Sequence, residues 1–338
     1  MKKIVLIYTG GTIGMRENPQ TGALEAVDFG ELLPMLSELG KMQIEFETVT
    51  FNPPLDSCNV GPEAWKHISE EIIARYDTAD GFVVLHGTDT MAYSASALSF
   101  MLEGLGKPVV FTGSQLPLGK LRTDGRENLL TAAEIAAATL PDGSPAVPEV
   151  SIFFHDKLYR GNRTTKASAD AFEAFKSFNY PPLGTAAVDI SFRLQFIRRP
   201  APGTVLTPHL EMDTNMMVLS LFPGIQESTV RAMLETSHLK GVVLRTFGSG
   251  NAPSHNWLPA LLSEATSRGV VVVNVTQCTG GNVAMERYET GLHLLKAGVV
   301  SGKDITVEAA LTKLMRLFGD GLSPEQVRDA FQTDLAGE

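Results

Sequence analysis

The sequence predicts two α/β domains with parallel-type sheets, a larger N-terminal domain and a smaller C-terminal domain. First, short apolar segments rich in β-branched residues alternate with longer segments of helical periodicity, as in parallel sheets covered by helices. Second, residues 191–213 interrupt this alternation with Arg198-Arg-Pro-Ala-Pro-Gly203 and Thr207-Pro208, a composition typical of a linker. We therefore expect domains at residues 1–190 and 214–338, joined by this linker.

The N-terminal domain is expected to alternate strands with helices. Its strand segments are short and apolar enough to be buried on both faces, and they lie near residues 4–8, 43–49, 82–85, 108–112 and 150–154. Helical segments span residues 62–75, 90–103 and 123–138. Gly61-Pro62-Glu63 suits the start of one helix through proline in its first turn, and Thr123-Asp124 is expected to begin another through capping, with Asp124 in a structural role.

The C-terminal domain repeats the pattern on a smaller scale. Apolar strand segments lie at residues 216–222, 241–244 and 270–274, and helical patterns at 226–236 and 255–267 separate them. This alternation again indicates a parallel sheet.

Composition excludes several classes of protein. The net charge of -10 and the pI near 5.3 disfavour binding to nucleic acid or to an anionic membrane, which needs basic patches. Cys58 and Cys278 are too few for a disulfide framework in 338 residues, which indicates a reducing cytoplasm. The apolar segment after Met1 ends at Gly10, so we expect a first strand there, not a signal peptide. No segment approaches the roughly 18 apolar residues of a membrane helix.

Two threonine motifs directly follow predicted strands: Thr9-Gly-Gly-Thr-Ile-Gly14 and His86-Gly-Thr-Asp-Thr90. Ligands of open α/β sheets bind beyond the carboxyl ends of the strands, where both motifs stand. Their reactive side chains are Thr12, Thr88 and Asp89, and a hydroxyl nucleophile at neutral pH needs a base beside it. Either motif alone is more typical of a turn or a helix cap, and their pairing favours an active site. The glycine spacing matches neither a dinucleotide-binding loop nor a Walker sequence.

The two motifs, extended to TGGTIG and HGTDTMAYSASALSF, resemble the signatures of the bacterial L-asparaginases. Four further segments resemble the cytoplasmic, type I branch of that family: Leu55-Asp-Ser57, Lys107-Pro-Val-Val-Phe-Thr-Gly-Ser-Gln115, Leu158-Tyr-Arg-Gly-Asn-Arg-Thr-Thr-Lys166 and Val273-Asn-Val-Thr-Gln-Cys278. The resemblance covers essentially the whole chain. It implies an L-asparagine amidohydrolase without metal or cofactor, assembled as a homotetramer from close dimers.

The resemblance also implies individual catalytic roles. Thr12 matches the threonine that attacks the side-chain amide carbon and carries the acyl group. Thr88, Asp89 and Lys166 match a second cluster, in which lysine and aspartate polarise the Thr88 hydroxyl and transfer protons. The sequence leaves open which threonine attacks first, and a lysine in the context of Lys166 is by itself more typical of a solvated surface.

Substrate binding is implied for Ser57, Asp56, Thr88, Asp89 and Ser114. Ser57 matches the residue that binds the α-carboxylate, and Asp89 is expected also to hold the α-ammonium, because a zwitterion needs a complementary group at each end. Without the resemblance, Asp56 and Ser57 are more typical of an ordinary turn. Backbone amides beside Thr12 and in the turn at 112–115 are candidate oxyanion donors.

One segment departs from the family pattern. Several members carry a tyrosine in the flap after the first motif, whereas this flap reads Met15-Arg-Glu-Asn-Pro-Gln-Thr-Gly-Ala-Leu24. Its proline and glycines still indicate a mobile lid. Tyr288 is a candidate substitute from elsewhere in the fold or from a neighbouring subunit, although a lone tyrosine is more often a packing residue.

The C-terminal domain carries polar motifs of its own after two predicted strands. In type I relatives, the residues that match Thr165, Arg245, Asn251 and Cys278 line a second, regulatory asparagine site. Arginine can clamp a carboxylate in a bidentate fashion, but an interface ion pair is an equally reasonable role for it.

Four other functions compete with asparagine hydrolysis. Glutamine could be the better substrate, because one methylene discriminates by only roughly 1 to 3 kcal/mol. A transamidase subunit is expected to carry an N-terminal RNA-contacting domain, and a phospholipid-hydrolysing relative a longer C-terminal extension. A non-catalytic amino-acid sensor would tolerate the loss of Thr12 or Lys166, and both are present.

Overall fold

The computed structural model describes residues 1–18, 20–22, 24–27, 30 and 38–338. Contacts between Cα atoms divide the chain into two compact units, Met1–Pro208 and His209–Glu338. This division falls inside the segment 191–213 that the sequence analysis assigns to a linker, and the start of that segment belongs to the sheet of the first unit. Within the described part of the chain, no helix is long and apolar enough to cross a membrane.

The first unit contains fourteen strands and three α-helices among its described residues. The strands are β1 (Lys2–Gly10), β2 (Met15–Glu17), β3 (Leu24–Ala26), β4 (Ile44–Leu55), β5 (Gly81–Leu85), β6 (Leu102–Glu103), β7 (Val109–Thr112), β8 (Val150–Phe154), β9 (Lys157–Arg160), β10 (Thr165–Lys166), β11 (Phe175–Lys176), β12 (Gly184–Ala186), β13 (Ile190–Phe192) and β14 (Thr207–Pro208). The helices are α1 (Pro62–Arg75), α2 (Met91–Met101) and α3 (Gly125–Ala137).

An eight-stranded mixed sheet organises this unit, in the order β13-β12-β9-β8-β7-β5-β1-β4. Strands β4, β1, β5, β7 and β8 are parallel, and β9, β12 and β13 extend the sheet by antiparallel pairing. The parallel strands β4, β1, β5 and β7 are consecutive neighbours, so the loops that follow them emerge at one edge of the sheet.

The sheet is stable because its central strands are apolar on both faces. Ile4, Leu6, Val83 and Leu85 are fully buried and pack in one cluster with alanine and leucine side chains of α3. Burial of one such aliphatic side chain contributes ~2 kcal/mol, so a row of them holds the strand ends in place.

The predicted cap of α3 by Asp124 is wrong. Asp124 stands at the N-cap position but makes no side-chain bond to the helix amides. Its carboxylate instead accepts from the backbone amides of Gln115, at 3.0 and 3.1 Å, and of Leu116 at 3.1 Å. Thr123 Oγ1 accepts the Gly125 amide in its place.

The second unit is also α/β. Its strands are β15 (Met216–Ser220), β16 (Gly241–Thr246), β17 (Val271–Thr276) and β18 (Val300–Ser301), and its helices are α4 (Glu227–Leu234), α5 (Trp257–Ser267), α6 (Glu289–Lys296), α7 (Val307–Gly319) and α8 (Pro324–Phe331). The four strands form one parallel sheet in chain order. The predicted fold class, two α/β domains with parallel-type sheets, is confirmed.

Candidate active site

Three loops meet at the carboxyl edge of the first sheet. Gly11 precedes Thr12, and a Cβ atom built on it would lie 2.4 Å from the backbone nitrogen of Gly87. A Cβ on Gly87 would in turn lie 2.6 Å from the side chain of Ser57. The loops after β1, β5 and β4 therefore pack closely against one another at these glycines, and both threonine motifs belong to one site.

Glycine is required where these loops cross. Gly10 and Gly11 have φ angles of 127° and 86°, a region that residues with a side chain rarely adopt. A Cβ on Gly10 would also lie 2.2 Å from the carbonyl oxygen of Leu55. These glycines bring the Thr12 loop against its neighbours.

Lys166 connects the second motif into a hydrogen-bonded cluster. Its Nζ donates to Thr88 Oγ1 at 2.8 Å and to Asp89 Oδ1 at 2.6 Å, although 78 residues separate Lys166 from Thr88. The lysine side chain is 16% exposed and that of Asp89 is 57% exposed. The hydrogen bond from Lys166 lowers the pKa of Asp89, which keeps its carboxylate charged at neutral pH.

Cys58 belongs to this cluster, although the sequence analysis did not single it out for the site. Its Sγ donates to the second carboxylate oxygen of Asp89, Oδ2, at 3.6 Å. The negative charge of Asp56 raises the pKa of the thiol, with contributions from burial and from Asp89. The cysteine therefore stays protonated at neutral pH and is able to donate this bond.

Gln115 is a second residue that the sequence analysis did not assign individually. Thr88 Oγ1 donates to Gln115 Oε1 at 3.3 Å, and Gln115 Nε2 donates to the carbonyls of Ala169 and Ala171 at 3.2 and 3.0 Å. The Thr88 hydroxyl thus accepts from Lys166 and donates to Gln115. Its proximity to Thr88 could not be read from local pattern, because the strand order creates it.

The residues expected to bind substrate have different surroundings. Ser57 is buried and begins the short 3₁₀ turn Ser57–Asn59, where its carbonyl accepts from Thr90 Oγ1 at 2.7 Å. Asp56 caps that turn by accepting the Cys58 amide at 3.1 Å. Ser114 is buried and donates to the carbonyl of Leu116 at 2.6 Å. Half-buried Thr12 begins the turn Thr12–Gly14.

One of the backbone amides expected to donate to an oxyanion already donates to another group. Gln115 N–H donates to the Asp124 carboxylate. It therefore cannot also serve an oxyanion in this arrangement, which removes one donor of the turn at 112–115. The Asp124 carboxylate also accepts from Asn128 Nδ2 at 3.2 Å.

The flap after the first motif is a hairpin of β2 and β3. Asn18 Oδ1 accepts the amides of Gln20 and Thr21, at 2.8 and 3.2 Å, and Glu17 forms an ion pair with Lys120. Residues 19 and 23 of the predicted lid lie outside the described residues.

The candidate regulatory residues fall in both units. Thr165 lies on β10 of the first unit, while Arg245, Asn251 and Cys278 follow or end strands of the second. Arg245 Nη1 donates to Ser220 Oγ at 3.4 Å, and its buried Nε has no hydrogen-bond partner among the described residues. Asn251 Oδ1 accepts from Thr290 at 3.2 Å, and Cys278 is exposed with a free thiol.

Tyr288, the candidate for the missing flap tyrosine, belongs to the second unit. It is the N-cap residue of α6, its side chain is exposed, and the guanidinium of Arg287 lies over its ring. Among the described residues, no group of three or more histidine, cysteine, aspartate or glutamate side chains could hold a metal ion.

Two protein-family models and several known proteins match this chain over nearly its full length. Residues 3–198 match the family described as Asparaginase, N-terminal, and residues 215–331 match the Glutaminase/Asparaginase C-terminal domain. The chain is 46% identical to L-asparaginase 1 of Escherichia coli (strain K12), with all of this chain and 98% of that protein covered. It is 40% identical to the 60 kDa lysophospholipase of Mus musculus, covering all of this chain and 62% of that protein. The crystal structure of L-asparaginase I from Vibrio cholerae O1 biovar eltor str. N16961 is similar with a TM-score of 0.90 at 42% identity, covering 100% of this chain and 98% of that one.

Proposed function

The chain belongs to the asparaginase family, and on that premise we propose that it hydrolyses L-asparagine to L-aspartate and ammonia through a threonyl ester. The observation that carries the proposal is the position of Lys166 Nζ, within hydrogen-bond distance of both Thr88 Oγ1 and Asp89 Oδ1. A hydroxyl, a lysine and a carboxylate in contact supply the proton transfers that an alcohol nucleophile needs.

The reaction has two halves. Thr12 Oγ attacks the side-chain amide carbon, its proton passes through the Thr88, Lys166 and Asp89 cluster to the amide nitrogen, and the C–N bond breaks to release ammonia. A water molecule then attacks the ester carbon and gives up a proton to the same cluster. The C–O bond to Thr12 breaks, Thr12 regains its proton, and L-aspartate leaves.

The charges of the site favour a zwitterionic amino acid. Lys166 and Cys58 bind one carboxylate oxygen of Asp89 each, and the 57% exposure of its side chain leaves an anionic face toward solvent. This face suits the α-ammonium group, and Ser57 beside Gly87 suits the α-carboxylate. Fixed positions for both ends orient the side-chain amide toward the threonines.

Ammonia release from L-asparagine and from L-glutamine tests the proposal, with fatty-acid release from lysophosphatidylcholine as a second assay. We expect ammonia from asparagine with the higher kcat/KM and no fatty acid. Absence of ammonia from both amides would refute the amidohydrolase function. Fatty-acid release without ammonia would assign the chain the activity named for the mouse relative.

We also propose a regulatory asparagine site in the second unit, at Arg245, with Asn251 and Cys278 as further contacts. The support is the family resemblance and the buried Arg245 Nε, which has no hydrogen-bond partner among the described residues. A second site of this kind makes the rate sigmoidal in asparagine concentration. Arg245→Ala should make the curve hyperbolic, while Arg231→Ala, a surface arginine of α4, should leave it sigmoidal. A hyperbolic wild-type curve would contradict the proposal.

The oligomeric state and the cellular location are proposed from the same family resemblance. We propose a homotetramer, a dimer of dimers, that acts in the cytoplasm, which agrees with two free cysteines at positions 58 and 278. Light scattering of the purified protein measures the assembly, and a monomeric mass would contradict it.

A further inference from the structure

A buried chain of hydrogen bonds leads from helix α1 to the candidate active site. Trp65 Nε1 lies 2.9 Å from Ser94 Oγ, Ser94 Oγ lies 2.9 Å from His86 Nε2, and His86 Nδ1 lies 2.7 Å from the carbonyl oxygen of Gly87. His86 and Ser94 are fully buried and Trp65 is nearly so. These hydrogen bonds thus join α1, α2 and the loop after β5.

Hydrogen-bond chemistry determines which atom donates and which accepts at each of these three bonds. The indole N–H of Trp65 can only donate and the Gly87 carbonyl can only accept. His86 must therefore carry its proton on Nδ1, and its Nε2 accepts the single hydroxyl proton of Ser94. Ser94 Oγ in turn accepts from Trp65. Every polar atom in the chain has its partner, and the imidazole is neutral, in agreement with a pKa that burial lowers to about 4.

The last acceptor in this series of hydrogen bonds is the carbonyl of the Gly87–Thr88 peptide group. The Cα atom of Gly87 packs closely against Gly11 of the first motif and Ser57 of the loop after β4, so this residue stands where the three loops of the site meet. His86 itself is held by its backbone amide, which donates to the Thr112 carbonyl at 2.9 Å. A fixed His86 ring therefore fixes the orientation of the Gly87–Thr88 peptide.

We propose that Trp65, Ser94 and His86 are positioning residues, forming a one-directional hydrogen-bond relay that sets the Gly87–Thr88 peptide and so aligns Thr88 and Asp89 with Lys166. The inference rests on the proposed function for its kinetic consequence. The three side chains act on the site through the Gly87–Thr88 peptide, and small displacements of a catalytic group reduce the rate strongly.

Two serines on the same helix provide a matched kinetic test. Ser94→Ala removes the central link of the relay, whereas Ser96→Ala removes a fully buried hydroxyl that has no hydrogen-bond partner among the described residues. Ser94→Ala should lower kcat for asparagine by about tenfold or more, and Ser96→Ala should leave it within about twofold of wild type. Equal kcat values for wild type and Ser94→Ala would overturn the proposal.

Variants at His86 separate positioning from simple packing. Asparagine can place an N–H group near the position of Nδ1, so His86→Asn retains a donor for the Gly87 carbonyl, whereas His86→Leu does not. We expect kcat of His86→Asn to exceed that of His86→Leu by about tenfold. Equal activity of the two variants would show that the ring only fills space.

NMR measurement of which His86 ring nitrogen carries the proton tests the relay independently of enzyme activity. In protein labelled with ¹⁵N in its histidine rings, the resonance that disappears in His86→Asn is assigned to His86. The relay requires a neutral ring with a protonated Nδ1 and an unprotonated Nε2 at pH 7. A proton on Nε2 overturns the relay even if the wild type hydrolyses asparagine. If the wild type releases no ammonia, the proposed function fails, and the tautomer still supports or overturns the relay.

Discussion

Acidification should destabilise the first unit through His86. The side chain is fully buried, and desolvation of its charged form lowers its pKa to about 4, against about 6.5 in an unfolded chain. Between pH 6.5 and 4 the unfolded chain binds a proton that the folded chain does not. The free energy of unfolding therefore falls as the pH falls through this window, and above pH 6.5 the stabilisation is fully present.

The size of the effect follows from the two pKa values. A difference of about 2.5 units corresponds to roughly 3 kcal/mol at pH 4, and roughly 2 kcal/mol of it is lost by pH 5. Losses of this size are a substantial fraction of the stability of an ordinary domain.

Denaturant unfolding at pH 7, 6 and 5 measures the effect. The chain has two tryptophans, and in a Trp257→Phe background the fluorescence of Trp65 reports on the first unit. His86→Asn cannot titrate in this range, so the difference in unfolding free energy between the parent and His86→Asn isolates the histidine. We expect this difference to shrink by roughly 2 kcal/mol from pH 7 to pH 5. A difference that stays constant across this range would refute the assignment of a buried neutral imidazole.

Three further predictions concern the site. Lys166→Met removes two charge-assisted hydrogen bonds, each worth roughly 1.5 to 3 kcal/mol, so kcat/KM in the ammonia assay should fall by roughly 10² to 10⁴. Gly11→Ala should abolish ammonia release, because the new Cβ would lie 2.4 Å from the backbone nitrogen of Gly87, at a φ of 86°. Alkylation of Cys58 by iodoacetamide should block activity, slowly at neutral pH and faster as the pH rises, because the charge of Asp56 raises the pKa of the thiol.

Each of these predictions has a matched control. Lys176→Met alters a half-buried lysine on the neighbouring strand β11, which pairs with Glu173, and should leave kcat/KM unchanged. Gly143→Ala imposes similar backbone strain at a φ of 83°, but among the described residues its Cβ would meet no atom within 4 Å, so activity should persist. Cys58→Ser should resist inactivation by iodoacetamide. Activity in Gly11→Ala, or inactivation of Cys58→Ser at the parent's rate, would contradict the site geometry.

The sequence predicted the parallel framework because its signal is local. The apolar segments at 82–85 and 108–112 correspond to β5 and β7. Both threonine motifs follow the carboxyl ends of neighbouring parallel strands, β1 and β5, as expected. The antiparallel strands β12 and β13 are three residues each and were not predicted, because such short segments have no periodicity to detect.

The site was predictable only in part. Thr12, Thr88 and Asp89 stand in motifs that pattern alone singles out, but Lys166 was identified only by resemblance, since no local signal links it to residues 78 positions away. Gln115 and Cys58 reach the cluster because of strand order, which single-sequence patterns do not encode. The Asp124 cap failed for a similar reason: the carboxylate binds the turn after β7, and that proximity arises from tertiary packing.

Trapping of the covalent intermediate identifies the threonine that carries the acyl group. Wild-type protein mixed with L-asparagine is quenched in acid, digested and analysed by mass spectrometry, beside Thr12→Ala treated in the same way. We expect an aspartyl ester on the peptide that contains Thr12 in the wild type, and neither the ester nor steady ammonia release in Thr12→Ala. An ester on the peptide that contains Thr88, or undiminished ammonia release by Thr12→Ala, would contradict this expectation.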